Sequence, residues 1–103
     1  WVQGGLGTSP GANLSDSQGM FEPVHGAAFD IANQNVANPT ALLLSAVLML
    51  QWLSTKHSDR QASDWAHRME SSVYTTIRQG HRTRDLQGNL SASEYTDRVI
   101  ENL

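Results

Sequence analysis

The pattern of apolar and polar positions separates an irregular N-terminal part from a helical remainder. Residues 39 to about 53 carry Leu42, Leu43, Leu44, Val47, Leu48, Met49, Leu50, Trp52 and Leu53. A helix this apolar almost all round belongs in a core and needs cover on most sides. Asn38-Pro39 reads as its start, with Asn as the N-cap and Pro at the first helical position. Residues 54–58 read as a linker, and Ser58 or Asp59 opens a second helix. There Ala62, Trp65, Ala66, Met69, Val73 and Ile77 recur at three- and four-residue steps, which predicts a single inward stripe. Gly80 ends that helix. Residues 83–89 read as a loop or short strand. Ser91-x-x-Glu94 is a capping box opening a last helix, with Tyr95, Val99, Ile100 and Leu103 inward.

Ahead of the helices the pattern is of another kind. Residues 4–13, GGLGTSPGAN, have the composition of a close-packed loop. Residues 20–24 read as a short strand, and Pro23 places it at an edge or an end. His25-Gly26 then turns the chain towards the first helix. The expected class is therefore α/β, short strands followed by three helices. The stretch 21–39, FEPVHGAAFDIANQNVANP, is its organising loop, since loops held between rigid elements are where binding groups gather.

Composition narrows the function without naming it. The 103 residues are 39% hydrophobic and 17% charged, with a net charge of −3. No basic patch speaks for nucleic acid or an anionic membrane. The longest apolar run, residues 41–50 broken only by Ser45, is shorter than the roughly 20 residues a membrane span requires. Cys is absent, so neither a disulfide framework nor a thiolate metal site exists. The expected compartment is the cytoplasm, or the mitochondrion in a eukaryote. The first residue is Trp1 and the apolar helix outsizes its partners; both suggest a piece of something longer.

Several chemistries fail on spacing. Gly5-x-Gly7 invites a dinucleotide fingerprint, but Pro10 stands where the third Gly belongs, and Pro10-Gly11-Ala12-Asn13 will not open a helix. There is no GxxxxGK[ST] phosphate loop and no GxSxG nucleophile elbow. No pair among His25, His57, His67 and His81 has the HExxH spacing of a metal site. His57, His67 and His81 fall on polar positions, whereas His25 is held in the loop, as a packing group or a ligand contact. Asp30 is the sharpest candidate. A carboxylate beside a glycine-bearing loop can accept hydrogen bonds from both hydroxyls of an adenosine ribose; it can equally cap a helix or a turn.

Taken together these residues resemble the β-decarboxylating dehydrogenases, the isopropylmalate/isocitrate/tartrate dehydrogenase family. That family's pattern runs GGLG–P–AN, then FEPVHGSAPDIAGKGIANP, an apolar helix with a Met-Leu pair, G–RT–DL–G, and a helical Glu-x-Thr-Asp. The chain matches it at Gly4-Gly5-Leu6-Gly7, Pro10, Ala12-Asn13, residues 21–26, Ala28, Asp30-Ile31-Ala32 and Ala37-Asn38-Pro39-Thr40. It matches again at Leu44-Ser45-Ala46, Met49-Leu50, Gly80, Arg82-Thr83, Asp85-Leu86, Gly88 and Glu94-Tyr95-Thr96-Asp97.

The resemblance implies the C-terminal, NAD-binding part, residues 1–103, of an isopropylmalate/isocitrate dehydrogenase-like fold. The enzyme would be a homodimer that oxidatively decarboxylates a small 2-hydroxy diacid such as 3-isopropylmalate, tartrate or D-malate. Its catalytic Tyr and Lys, substrate arginines and the aspartates for Mg²⁺ or Mn²⁺ would precede Trp1, the nearest of those aspartates by only a few residues, on a helix that Trp1 would end. It implies cofactor-loop roles for His25, Gly26, Ala28, Asp30, Ile31 and Asn38, with Glu22 and Leu6 nearby and Asn38 facing the adenine. Asp30-Ile31 is similar to the NAD-preferring version of the loop, the NADP version having Lys and Tyr. Three departures stand out: Ala27 for Ser or Thr, Phe29 for Pro, and Asn33 for Gly. Phe29 and Trp52 lean towards the tartrate/D-malate branch. The alternative is a truncated, non-catalytic paralogue serving as a scaffold.

Overall fold

A computed structural model describes residues 10–24 and 28–103. Two antiparallel strands, β1 (Pro10–Leu14) and β2 (Gly19–Pro23), are followed by three helices, α1 (Thr40–His57), α2 (Arg60–Arg78) and α3 (Ala92–Glu101). The mixed α/β class and the order of elements are as expected. Residues 10–13, expected in a loop, instead form β1. Gly11 pairs with Glu22, and a Cβ at Gly11 would lie 2.9 Å from Val24 Cγ2 and 3.0 Å from the Glu22 carbonyl oxygen. The glycine that suggested a loop is what lets the two strands close. Pro10 faces Pro23 at the open end of the ladder, where a missing N–H breaks little pairing.

α1 packs against both strands on one side and against α2 on the other. It is longer than expected, since residues 54–57 are helical and not a linker. Lys56 and His57 in its last turn suit the negative end of the helix dipole. The chain reverses through Ser58, left-handed at φ 51°, and Asp59 then caps α2 by accepting the Ala62 N–H at 3.2 Å.

The core comprises Leu44, Val47, Ala66, Val73, Tyr95 and Val99. The α2 stripe holds at Ala62, Ala66 and Val73, with Met69 and Ile77 half-buried. Trp65 does not turn inward: it is 45% exposed and lies beneath the Arg68 guanidinium, 4.3 Å from the ring centre. Ile100 and Leu103 also stay exposed, because α3 meets α2 through Tyr95 and Val99 together with a polar seam. In that seam the Ser72 hydroxyl donates to the Val99 carbonyl, and Asn102 Nδ2 donates to Thr76 Oγ1 at 2.9 Å. Gly80, at φ 86°, closes α2 as expected.

Candidate functional site

The loop between β2 and α1 is built from short turns. Ala28 at φ 48°, Asn33 at 65° and Asn35 at 57° are left-handed, and residues 29–31 make a single 3₁₀ turn. Asn33 therefore adopts the conformation that a glycine at this position would allow, and Asn is among the side chains that tolerate it. Gln34 Nε2 donates to the Asp30 carbonyl at 3.0 Å, bracing the turn. The Asp30 carboxylate is exposed and enters no hydrogen bond or ion pair with the described residues.

Asn38 behaves differently. It is buried, its Oδ1 accepts the Thr40 N–H at 3.0 Å, and its Nδ2 donates to Asp85 Oδ2 at 3.1 Å. The helix itself begins at Thr40 with Pro39 in the N-cap position, so Asn38 caps from one residue further back. Asp85 is in turn held by the Thr83 hydroxyl. Residues 83–89 form neither a strand nor an open loop. They make a 3₁₀ turn, Arg84–Leu86, closed by a parallel bridge between Thr83 and Leu90. Gly88 is required there, since a Cβ would lie 2.0 Å from the Arg82 carbonyl oxygen.

These two strips face each other. Gln34, Asn35 and Val36 form one wall, and Arg84, Gly88, Asn89, Leu90, Ser91 and Glu94 the other, of an open groove of about 400 Å³. That size lies within the usual range for small-molecule sites. The Ser91 backbone N–H first, and the Ser91 hydroxyl second, hold the Glu94 carboxyl below its ordinary range. The lining brings carboxylate, guanidinium and amide groups together with apolar ones.

Of the residues expected at the cofactor, Leu6, His25 and Gly26 lie outside the described residues. Glu22 is exposed on β2, and Ala28 and Asp30 are exposed and Ile31 half-buried in the loop. None of Glu22, Ala28, Asp30, Ile31 and Asn38 lines this groove, which takes the next residues along, 34–36. The wall from Arg84 to Glu94 was missed as part of a site. Its signal was the Arg82-Thr83, Asp85-Leu86 and Gly88 strip, which only the fold brings opposite the loop. Among the described residues no three His, Asp or Glu side chains are grouped to hold a metal ion. No helix among them is long and apolar enough to cross a membrane.

Comparison with known proteins gives the family of the chain. The sequence model of the isocitrate/isopropylmalate dehydrogenase family matches residues 1–99. The isocitrate/homoisocitrate dehydrogenase of Thermus thermophilus is 43% identical over 100 residues, covering 97% of this chain and 28% of that protein. The mitochondrial isocitrate dehydrogenase [NAD] subunit 2 of Kluyveromyces lactis is 48% identical over 103 residues, covering 97% of this chain and 26% of its own. Among solved structures, isocitrate dehydrogenase from Methylococcus capsulatus superposes with a TM-score of 0.84 at 33% identity, over 96% of this chain and 28% of that one. The chain thus spans about a quarter of the length of the relatives it matches. The leaning towards the tartrate/D-malate branch finds no support in these names.

Proposed function

The chain belongs to the isocitrate/isopropylmalate dehydrogenase family, and from that premise we propose that it is the C-terminal, NAD-binding portion of a dimeric enzyme that oxidatively decarboxylates a small 2-hydroxy diacid. The observation that carries the proposal is the loop 28–38. It presents an unengaged Asp30 carboxylate, and its residues 34–36 form one wall of a groove whose other wall comes from the strip 84–94. When bound, NAD would supply the hydride acceptor for oxidation of the substrate alcohol, and this chain's part would be to bind and orient it. Asp30 accepts hydrogen bonds from the adenosine ribose hydroxyls, with Ile31 and Ala28 beside it. Asn38 spends one amide hydrogen on Asp85 and offers the second to the adenine; cofactor roles for Glu22, His25, Gly26 and Leu6 belong to the same proposal. A divalent cation, Mg²⁺ or Mn²⁺, belongs to the same proposal with its ligands outside the described residues, and none of its chemistry is assigned to them.

Charge explains the choice of NAD. Unit charges about 4 Å apart interact by roughly 4 kcal/mol at an effective dielectric near 20, so Asp30 would repel the 2′-phosphate of NADP by something of that order. The test is Asp30→Lys with Ile31→Tyr in the whole enzyme, reading kcat/KM for both cofactors. Preference is expected to move towards NADP, and an unchanged ratio removes Asp30 from the ribose.

A further inference from the structure

The first turn of an α-helix leaves N–H groups that find no partner within the helix. In α3 the Glu94 N–H is taken by the N-cap Ser91 hydroxyl at 3.1 Å. The two before it are taken from 57 and 58 residues upstream. The Ala92 N–H donates to the Asn35 carbonyl at 2.8 Å, and the Ser93 N–H donates to Asn35 Oδ1 at 3.1 Å. The Ser93 hydroxyl donates to the same Oδ1, also at 3.1 Å. One loop residue thus caps a helix that begins in another part of the chain.

Asn35 does this from a left-handed backbone, φ 57°. Glycine fits such a position without strain, but glycine carries no acceptor for Ser93. The side chain adds what the turn alone would not need. Its place matters as much: Asn35 belongs to the loop wall of the groove, and the helix it caps carries Glu94 of the facing wall, immediately after Ser93. Between β2 and Asn35 the described loop residues are held only by short-range turn bonds, Ile31 to Ala28, Ala32 to Phe29 and Gln34 to Ile31. The Asn35–Ser93 contact is therefore the first long-range tie after the strand.

We propose that Asn35 is a positioning residue that holds in place the loop carrying Asp30 and Asn38, and with it the affinity for the dinucleotide, by pinning that loop to the N-terminus of α3. The inference rests on the NAD-binding reading above. It is tested in the whole enzyme by NAD titration calorimetry, thermal unfolding and steady-state kinetics on two variants. Asn35→Gly keeps the backbone conformation and removes Oδ1; Asn35→Asp keeps an acceptor in place. Asn35→Gly is expected to weaken NAD binding about three- to tenfold, the size of a lost helix cap. KM for NAD should rise with Kd while kcat at saturating NAD stays within about twofold, and Asn35→Asp should restore binding. Lowered thermal stability with unchanged NAD affinity in Asn35→Gly, or failure of Asn35→Asp to restore binding, overturns the proposal. Should Asn35→Gly not fold, Ser93→Ala removes only the hydroxyl donor; a weakening of about twofold supports the tie and unchanged affinity refutes it. An unaltered enzyme that does not bind NAD refutes the cofactor reading itself, and this inference with it.

Discussion

Asn38 joins two helix-bearing segments through one side chain, capping α1 with its oxygen and bonding Asp85 with its amide. A lost N-cap costs about 0.5–2 kcal/mol and a lost hydrogen bond to a charged group about 1.5–3 kcal/mol. Asn38→Ala in the whole enzyme should therefore cost roughly 2–5 kcal/mol by denaturant midpoint. Asn38→Ser should recover only the capping share, since a hydroxyl reaches Thr40 but not Asp85. A double-mutant cycle with Asp85→Ala checks this, and a coupling below about 0.5 kcal/mol would show that the amide bond contributes nothing. Tyr95 gives the pH handle. It is fully buried with its hydroxyl 2.7 Å from Thr40 Oγ1. Burial pushes the phenol above its ordinary value, the Thr40 bond pulls it down, and the Asp85 charge adds to the rise. A raised folded value means stability fully present below the unfolded value near 10 and lost as pH climbs through the folded one. Tyr95→Phe should be the less stable protein at pH 7, by about 0.5–1.5 kcal/mol, and the gap should close above about pH 10. Tyr74, also raised by burial and then by Glu70, is common to both proteins. A gap that does not change between pH 7 and pH 11 would rule out the burial effect.

At the scale of elements, the connection from α1 to α2 is the place where sequence and structure part most clearly. Ser and Thr in residues 54–58 suggested a linker, yet the helix continues through residue 57, with the Ser54 hydroxyl satisfied by the Gln51 carbonyl and residues 55–57 exposed. What stops it is Ser58, whose left-handed backbone lets its N–H and that of Asp59 reach the Ser54 carbonyl. A left-handed residue with a Cβ is strained by about 1–2 kcal/mol, part of which glycine returns as extra freedom in the unfolded chain. Ser58→Gly is therefore expected to stabilise the whole enzyme by about 0.5–1 kcal/mol, read as a rise in thermal midpoint. A fall in the midpoint would show that the Ser58 side chain contributes more than its strain costs. Elsewhere the local signals were sufficient. The Ser91–Glu94 capping box is present in both directions, and the Asp59 cap opens α2 where the pattern placed it.

For the whole molecule, the decisive feature is apolar surface left uncovered. Leu14, Met20 and Leu42 are each 59% exposed, and Phe29 is 87% exposed. Phe21 and Trp52, with ring centres 6.1 Å apart, line an apolar hollow with Leu14 and Leu48 between the hairpin and α1. Exposed patches of this kind drive association. The isolated 103-residue chain should self-associate at micromolar concentration in sedimentation velocity, and Leu42→Lys with Met49→Lys should reduce the association. A monomer with a single cooperative thermal transition would contradict the expectation. The sequence by itself determined that there are three helices, the caps of α2 and α3, the α2 stripe at Ala62, Ala66 and Val73, and the family, because caps, periodicity and the 21–39 motif are local and repeat wherever the same chemistry is needed. Tertiary structure alone decided that Gly11 sits in a strand, that Trp65 and Ile100 face outward, and that Arg84 and Glu94 stand opposite Gln34 and Asn35. Each of those depends on what lies across from a residue, and partners 47 to 58 positions apart, such as Asn38 with Asp85 and Asn35 with Ser93, leave no trace in local periodicity.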